Sequence, residues 1–463
     1  MEADISWAEN EFGRAQLGDT RRTRRLVKLS TQRAQQPSAS FPQSCDTPAD
    51  LKAAYRFLVQ EDIQREQILA SHIAATQERM QAEGVVLAAQ DTTKVDYTHH
   101  PSKQGLGYLQ NLQHRGLFLH STLAITPSRV PLGLIDQQIW VREDKDFGKR
   151  HQRKALPIEE KESDKWLKSL KRTAVLQQQI ADTLVVSVGD SEADVYDLLH
   201  LAWQLEQAVL VRACRNRSVA HEEGRLWAYM QSQPVGGTLE VEVPRQADRA
   251  AYTAELEVRW AAVTIKPPQY RRTEQLPELQ IWAVYIQETA ASAGEDKPIS
   301  WLLLTNVTVE NYEQACERVH WYTCRWMVEM FHKVLKSGCR IEERQFGDYE
   351  TISRYLAVDS VVAWRVLYLT LVSRQLPDVA CTAVLEAHEW QALYCFTHKV
   401  NVPPEEPPSL QEAMLWIAKL GGFLGRKGDG EPGMVVVWRG LQRLSDITAS
   451  WLIFHPPKNV GKG

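Results

Sequence analysis

Residues 321–336, WYTCRWMVEMFHKVLK, combine a broad apolar stripe with polar side chains at regular offsets. At about 100° per residue, four of these polar side chains fall within an arc of about 60° on a predicted helix: Tyr322, Arg325, Glu329 and Lys336. Lys333 lies at the edge of the same arc. The opposite side is apolar, which predicts that it faces a core. This helix is therefore expected to hold a carboxylate among cations and a phenol at the margin of the core.

Two interpretations fit this polar face. A charged face on an amphipathic helix is usually only a solvated surface, which is the simpler interpretation. In the functional interpretation, the Glu329 carboxylate binds a hard divalent cation, while arginine and lysine side chains bind phosphate. The functional interpretation indicates phosphodiester chemistry, and the rest of the chain decides between the two.

The composition bounds the class of protein. A chain of 463 residues is too long for one core and predicts two to four domains. Its 44% hydrophobic and 24% charged residues are typical of a globular protein. The formal net charge of −4 excludes a surface that is positive all over, although nucleic-acid binding depends on local patches.

Secretory and membrane signals are not predicted. The start of the chain, MEADISWAENEFGRAQ, is polar and acidic, unlike a secretory signal. The longest apolar run, at 361–372, is shorter than a membrane span and contains Arg365, so it predicts a buried helix. Seven cysteines without a CxxC pair argue against a disulfide scaffold and predict a cytoplasmic protein.

The periodicity of apolar residues divides the chain into three regions. Residues 1–80 predict a helical domain, 81–375 an α/β domain, and 376–463 a second helical domain. Between 218 and 300, alternating strands without intervening helices predict an antiparallel β insertion inside the α/β domain. The predicted fold class is therefore α/β with helical domains at both ends.

A basic helix is predicted near the start of the chain. Residues 14–33 hold seven basic side chains against one acid, Asp19, and Asp19 or Thr20 is expected to cap the helix. Such a helix either binds a DNA backbone or is simply solvated, and composition does not choose between the two. Three of its arginines are candidates for DNA contact: Arg21, Arg22 and Arg25.

Two further acids follow apolar runs that predict buried strands. Asp91 ends the run GVVLAAQ at 84–90, and Asp190 ends TLVVSVG at 183–189. If both converge with Glu329 at the rim of a sheet, the three carboxylates are able to hold a pair of divalent cations. An acid after a strand is also a common turn former or helix cap, so both interpretations stay open for each aspartate.

Several separate motifs match one family in the right order. The last acidic helix has Tyr, two residues, Arg, three residues, Glu, six residues and Lys, which is the family's signature and is matched at 322–336. The first acid occurs as Asp-Thr-Thr at 91–93 and the second as Asp-Ser-Glu-Ala-Asp at 190–194. LGDTRRTRRL (17–26), WLLLT (301–305) and LGGF (420–423) also match. By these motifs the chain resembles the DDE transposases of the bacterial IS-four family.

The resemblance implies a fold and an activity. It implies an RNase H-like catalytic core with the β insertion, an N-terminal domain that binds transposon ends, and a C-terminal domain for homodimerisation. Asp91, Asp190 and Glu329 become Mg²⁺ ligands, with Mn²⁺ able to substitute. The implied partners are double-stranded DNA at inverted-repeat ends and at the target, and the implied location is the cytoplasm, at the nucleoid when acting.

The resemblance also implies DNA contacts. Arg21, Arg22 and Arg25 fall within its N-terminal motif, and Trp301 matches a tryptophan that stacks on a flipped base, although a core tryptophan is an equal alternative. The resemblance places Trp326 beside the pocket that would hold this flipped base. The side chains implied to contact the DNA backbone are Tyr322, Arg325, Lys336, Lys333, His332 and Arg212.

Two departures from the family pattern and two alternative functions remain. Ser191 replaces an arginine after the second acid, and Met330 stands where relatives carry a further acid, so Glu329 is the metal-binding candidate there.

A non-cleaving DNA-binding inhibitor derived from a transposase is one alternative function, against which the complete set of three acids counts. A different RNase H-like nuclease is the other, and it leaves the β insertion unexplained.

Overall fold

The computed structural model describes residues 6–149, 156–243, 252–293 and 298–456. Residues 244–251 and 294–297 of the predicted β insertion lie outside the described residues. The helices are as follows: α1 (Trp7–Phe12), α2 (Thr20–Gln35), α3 (Pro48–Leu58), α4 (Arg65–Met80), α5 (Asp164–Gln179), α6 (Tyr196–Gln204), α7 (Leu226–Ser232), α8 (Ala290–Ala293), α9 (Tyr312–Cys324), α10 (Trp326–Lys333), α11 (Tyr349–Gln375), α12 (Ala387–His398), α13 (Leu410–Leu420) and α14 (Met434–Phe454).

The strands form one sheet. They are β1 (Val85–Asp96), β2 (Gly107–Tyr108), β3 (Arg115–Ile125), β4 (Pro131–Trp140), β5 (Leu184–Gly189), β6 (Val209–Arg212), β7 (Gly237–Val243), β8 (Tyr252–Ile265), β9 (Leu279–Glu288) and β10 (Ser300–Thr305). Their order is β2-β3-β1-β5-β6-β10-β9-β8-β7, with β4 paired to β3. The sheet therefore runs without a break from the α/β core into the β insertion.

The core of this sheet has the RNase H-like arrangement. β1, β3 and β4 pair antiparallel, and β1, β5 and β6 pair parallel, with α5 and α6 on the connections. The strands β8 and β9 pair antiparallel and join the sheet through β10. The predicted α/β class, with an antiparallel insertion and helical ends, is confirmed.

The two faces of the sheet carry different helices. Side chains such as Leu87 and Val186 belong to a core shared with α9, α10 and α11. Their neighbours on the opposite face, such as Val209 and Leu302, pack with α5, α6 and α7. Because successive side chains of a strand point to opposite faces, the parity of a residue decides which set of helices it meets.

The helix α11 lies at the centre of the molecule. Asp348 caps its first turn by accepting a hydrogen bond from Thr351 N–H. By length and composition α11 is apolar enough to cross a membrane, and 89% of its apolar window is buried inside the protein. A core helix of a water-facing domain passes the same test of length and composition. The buried helix predicted around 361–372 is confirmed.

The stretch 321–336 is not one regular helix. It breaks at Arg325, where the backbone bonds Arg325 N–Tyr322 O and Val328 N–Arg325 O span three residues instead of four. A π-helical turn follows at Val334–Gly338, closed by the bond from Cys339 N to Val334 O. The single predicted helix is therefore wrong, because residue periodicity does not register a change of hydrogen-bond span.

Candidate active site

Asp91 lies within β1, and Asp190 directly follows the end of the neighbouring parallel strand β5. The last registered pair between β1 and β5 is Ala89 with Val188. Two residues beyond this pair come Asp91 and Asp190, which are close enough for their charges to repel each other. Strand β1 continues to Asp96, so the prediction that Asp91 ends its strand is wrong. The strand that ends at this level is β5, so β1 has no parallel neighbour beside Asp91.

The helix α10 brings Glu329 to the same rim. Arg325, one turn earlier, donates from Nη2 to Glu329 Oε1 at 2.5 Å. Its Nη1 lies 3.8 Å from Asp91 Oδ1. The positive charge of Arg325 also attracts Asp190 and partly counters the rise in its pKa that burial causes. The structure thus gathers the three sequence-predicted acids around one guanidinium.

The Asp190 carboxyl is the desolvated member of this group. Burial raises its pKa above the ordinary value for an aspartate, and repulsion from Asp91 and Glu192 raises it further. The Glu192 backbone N–H, which donates to Asp190 Oδ1 at 2.8 Å, and the Arg325 charge act in the opposite direction. Two adjacent carboxylates with incomplete neutralisation form a place that favours an added cation.

The donor chemistry at this rim fits a hard divalent cation. Carboxylate oxygens are the side-chain ligands that Mg²⁺ prefers. Among the described residues, no group of three His, Cys, Asp or Glu side chains lies close enough to hold a metal ion. Glu329 is bound to Arg325 instead. The bond to Arg325 engages Oε1 of Glu329.

The side chain of His332 is buried, with 4% of the residue exposed. Its Nε2 lies 3.1 Å from Ser121 Oγ, and its Nδ1 lies 3.4 Å from Asp91 Oδ2. The DNA-backbone contact implied for His332 by the family resemblance is not what this structure offers. The ring packs behind the carboxylate, because its position on α10 faces the sheet.

An aromatic cluster adjoins the acids. Trp301 contacts Tyr322 edge to face, with ring centroids 5.3 Å apart, and the Arg212 guanidinium lies 5.8 Å from the Trp301 ring. Burial raises the pKa of Tyr322, and the nearby arginines 325 and 212 moderate the rise. Trp301 is half-buried against the core, whereas Trp326 is 60% exposed. Trp326 therefore presents the accessible ring at this rim.

The two lysines of the motif differ in their surroundings. Lys333 is exposed and makes no ion pair within the described parts of the chain. Lys336 lies in the π-helical turn and forms an ion pair with Glu342 at 3.0 Å. Glu342 also accepts a hydrogen bond from the Asp96 backbone N–H at 2.9 Å. Lys336 is thus tied to the end of β1, and Lys333 is the more available cation.

The basic helix α2 begins as predicted, with Asp19 accepting a hydrogen bond from Arg21 N–H. Of its three candidate arginines, Arg21 is exposed. The Arg22 guanidinium donates to Leu17 O and Asp62, and the Arg25 guanidinium donates to Asp50 at 3.0 Å. Two of the three candidates are therefore already engaged within the N-terminal helices.

Sequence reasoning missed the polar residues behind the acids. Asp194 is buried and accepts hydrogen bonds from the backbone N–H groups of Cys214 and Arg215 and from the Arg217 side chain. It joins the loop after β5 to the loop after β6. Ser121 and Gln137 lie inside β3 and β4. The signal for these two residues was the interruption of apolar strands by polar residues.

Comparisons with known proteins match segments near the two ends of the chain. Residues 4–63 match the sequence family described as "Transposase DNA-binding", and residues 361–450 match the family described as "Transposase Tn5 dimerisation domain". The chain is also similar to a cryo-EM structure of the piggyBac transposase synaptic complex with hairpin DNA, at 9% identity and a TM-score of 0.37 over 99% of this chain and 79% of that chain. A likeness at that level carries no conclusion here.

The predicted domain boundaries fall at the end of α4 and at the end of α11, and the division into domains stays a prediction. Membership in the narrower IS-four family also stays a prediction. Near its two ends, the chain is thus similar to two sequence families of transposases, one described as DNA-binding and one named for Tn5 dimerisation.

Proposed function

We propose that this protein is a transposase that cuts DNA at the ends of its element and joins the freed ends to target DNA, with Asp91, Asp190 and Glu329 as the catalytic acids. One observation carries the proposal. One acid lies on β1, the second directly follows the neighbouring parallel strand β5, and a helix brings the third to the same rim, where a single arginine contacts or attracts all of them.

The three acids would hold Mg²⁺, or Mn²⁺ in its place. When bound, such ions activate the attacking oxygen and stabilise the leaving oxygen in an in-line displacement at phosphorus. Asp91 and Asp190 are held by the sheet, so they fix the site relative to the core. Glu329 is released for this role when Arg325 transfers its hydrogen bond to a DNA phosphate, an acceptor that suits a guanidinium.

The neighbouring side chains would hold the cut strand. Arg325 and Arg212 supply positive charge beside the acids, and Lys333 supplies an exposed cation on the same helix. The exposed ring of Trp326 is available to stack on an unpaired base, a contact that contributes about 1–3 kcal/mol. Trp301 and Tyr322 would form the inner wall of that base pocket.

The proposed reaction sequence is cut-and-paste transposition. Water hydrolyses one strand at the element end, and the 3′-hydroxyl then attacks the opposite strand to give a hairpin. A second water opens the hairpin, and the 3′-hydroxyls join target DNA. The partners are inverted-repeat ends, target DNA and a second copy of the chain, and the setting is the bacterial cytoplasm. A matched family named for Tn5 dimerisation supports the homodimer.

The test is Glu329→Ala with a duplex that carries the element's own end. This variant is expected to bind the end like the wild type in EDTA but to lose strand nicking in Mg²⁺, because one of three carboxylates is gone. Glu343→Ala is the matched control, since Glu343 is an exposed acid paired with Arg340 away from the rim. Normal nicking by Glu329→Ala would overturn the assignment of the acids. Absence of nicking by the wild type would favour the non-cleaving inhibitor.

A further inference from the structure

A series of buried polar side chains runs from the candidate active site to the N-terminal helices. His332 Nδ1 lies 3.4 Å from Asp91 Oδ2, and His332 Nε2 lies 3.1 Å from Ser121 Oγ. Ser121 Oγ is 3.1 Å from Gln137 Nε2. Gln137 in turn accepts a hydrogen bond at its side-chain oxygen from Arg65, the first residue of α4. These contacts therefore connect Asp91 to α4.

The donors and acceptors of these side chains fit a single arrangement of hydrogen bonds. Gln137 Nε2 is a donor, so Ser121 Oγ accepts from it and has its own O–H free to donate to His332 Nε2. With Nε2 as an acceptor, the neutral imidazole carries its proton on Nδ1. Asp91 Oδ2 is an acceptor and faces that proton. Among the described residues, His332 Nδ1 makes no hydrogen bond, and the Asp91 carboxylate, 3.4 Å away, is an acceptor within reach of a small shift.

We propose that His332 is a positioning residue for Asp91, held in the Nδ1–H tautomer by Ser121. The inference rests on the proposed function, because it takes Asp91 as a catalytic acid. A carboxylate that ligates a metal needs its second oxygen or its rotamer fixed, and a buried imidazole donor does this without competing for the metal-facing side. The ring is too deeply buried to serve as a contact to the DNA backbone.

The neighbouring residue supplies a matched control. Lys333 is exposed on the same helix, so it is the one expected to contact phosphate. Replacing it is expected to weaken end binding and to reduce the slope of log K against log salt by about one, while leaving metal affinity unchanged. Replacing His332 is expected to do the reverse. The two adjacent residues therefore separate a positioning role from a DNA-contact role.

The experiment measures Mn²⁺ binding to the full-length protein by electron paramagnetic resonance, and end binding in EDTA by anisotropy. His332→Leu is expected to bind Mn²⁺ about 10–100-fold more weakly, as outer hydrogen-bond partners of metal ligands typically do, and to bind DNA normally. His332→Asn places an amide N–H near the lost Nδ1–H and is expected to restore most of the affinity. His332→Gln places its amide near Nε2 and is expected not to.

Ser121→Ala gives a second route if His332→Leu fails to fold. It keeps the ring but removes the O–H that selects the tautomer, so Mn²⁺ affinity is expected to fall by less than in His332→Leu. Wild-type Mn²⁺ affinity in both His332→Leu and Ser121→Ala would overturn this inference alone. Loss of DNA binding in EDTA by His332→Leu would overturn it in favour of a backbone contact. Asp91→Asn with wild-type Mn²⁺ affinity would overturn the proposed metal site, and this inference with it.

Discussion

Two arginines of this protein face carboxylates, and they differ in how completely their hydrogen bonds are made. Arg33 is fully buried between α2 and α11. Its guanidinium donates to both oxygens of Asp359 and to the backbone carbonyls of Gln36, Pro37 and Ala39. Arg325 donates to Glu329, while its Nε and Nη1 are buried without a hydrogen-bond partner.

The difference separates a scaffold cation from a cation placed for an external partner. Each of the five donors that a guanidinium offers is used by Arg33, and its acceptors all come from within the chain. A buried donor without a partner costs free energy, and the acids around Arg325 do not satisfy it. That cost is explained if a phosphate completes the site. The contrast predicts that losing Arg33 or Asp359 harms folding, whereas losing Arg325 harms chemistry.

The largest expected effect is on stability, from Asp359→Ala. Removing one partner of a buried ion pair leaves the other charge unpaired, which costs about 3–5 kcal/mol. The free energy of unfolding, measured in urea, is expected to fall by that amount. The exposed pair Arg22–Asp62 gives the control, because Asp62→Ala is expected to cost less than about 1 kcal/mol. Equal losses in the two variants would remove the distinction between scaffold and surface pairs.

The next effect is on catalysis, from Arg325→Gln. Losing a preorganised donor at a site of developing charge typically lowers the rate about 10²–10³-fold, so nicking of an end-containing duplex is expected to fall within that range. Stability is expected to change little, because Arg325 has few bonds to lose. Arg340→Gln serves as the control, since Arg340 is an exposed partner of Glu343. If Arg325→Gln lowers the free energy of unfolding but leaves the nicking rate of the folded protein unchanged, Arg325 is a second scaffold cation.

The smallest effect is a pH dependence at Glu11, another scaffold charge. Burial opposes ionisation of Glu11, but hydrogen bonds from His72 and Arg79 outweigh it and lower the pKa of Glu11 from 4.5 to about 2. The stabilisation is therefore complete above about pH 4.5 and is lost as the pH falls toward 2. We expect a loss of about 2–3 kcal/mol across this range. In Glu11→Gln, the free energy of unfolding is expected to fall less over the same pH range. If it falls equally in the variant and in the wild type, ionised Glu11 is not the source of the pH dependence.

Local sequence signals located much of the fold because they depend on neighbouring residues. The runs LFLHSTLAIT (117–126) and LGLIDQQIWVR (132–142) flank the turn sequence PSRVP, a pattern that predicts a hairpin, and β3 and β4 form it. The apolar run before Asp190 predicts a buried strand, which is β5. Strand alternation and turn residues act over a few positions, so no tertiary information was needed for these elements.

The active-site region shows where local signals end. The break at Arg325 and the π-helical turn at Val334–Gly338 shift hydrogen bonds by one residue without changing the apolar pattern. The burial of His332 depends on β3 lying beneath α10, and the pairing of Lys336 depends on Glu342. These contacts join residues that the sequence gives no means of pairing.

By itself, the amino-acid sequence predicted many of the strands and the cap of α2, because residue type and spacing encode them. The three acids were assigned by the match to family motifs, and their role stays a prediction. Only the tertiary structure decided that Asp91 and Asp190 lie in neighbouring register, that Arg325 stands among the acids, and that His332 turns inward. Those facts follow from the packing of one helix against two parallel strands. That packing is set by the whole core and not by any single segment.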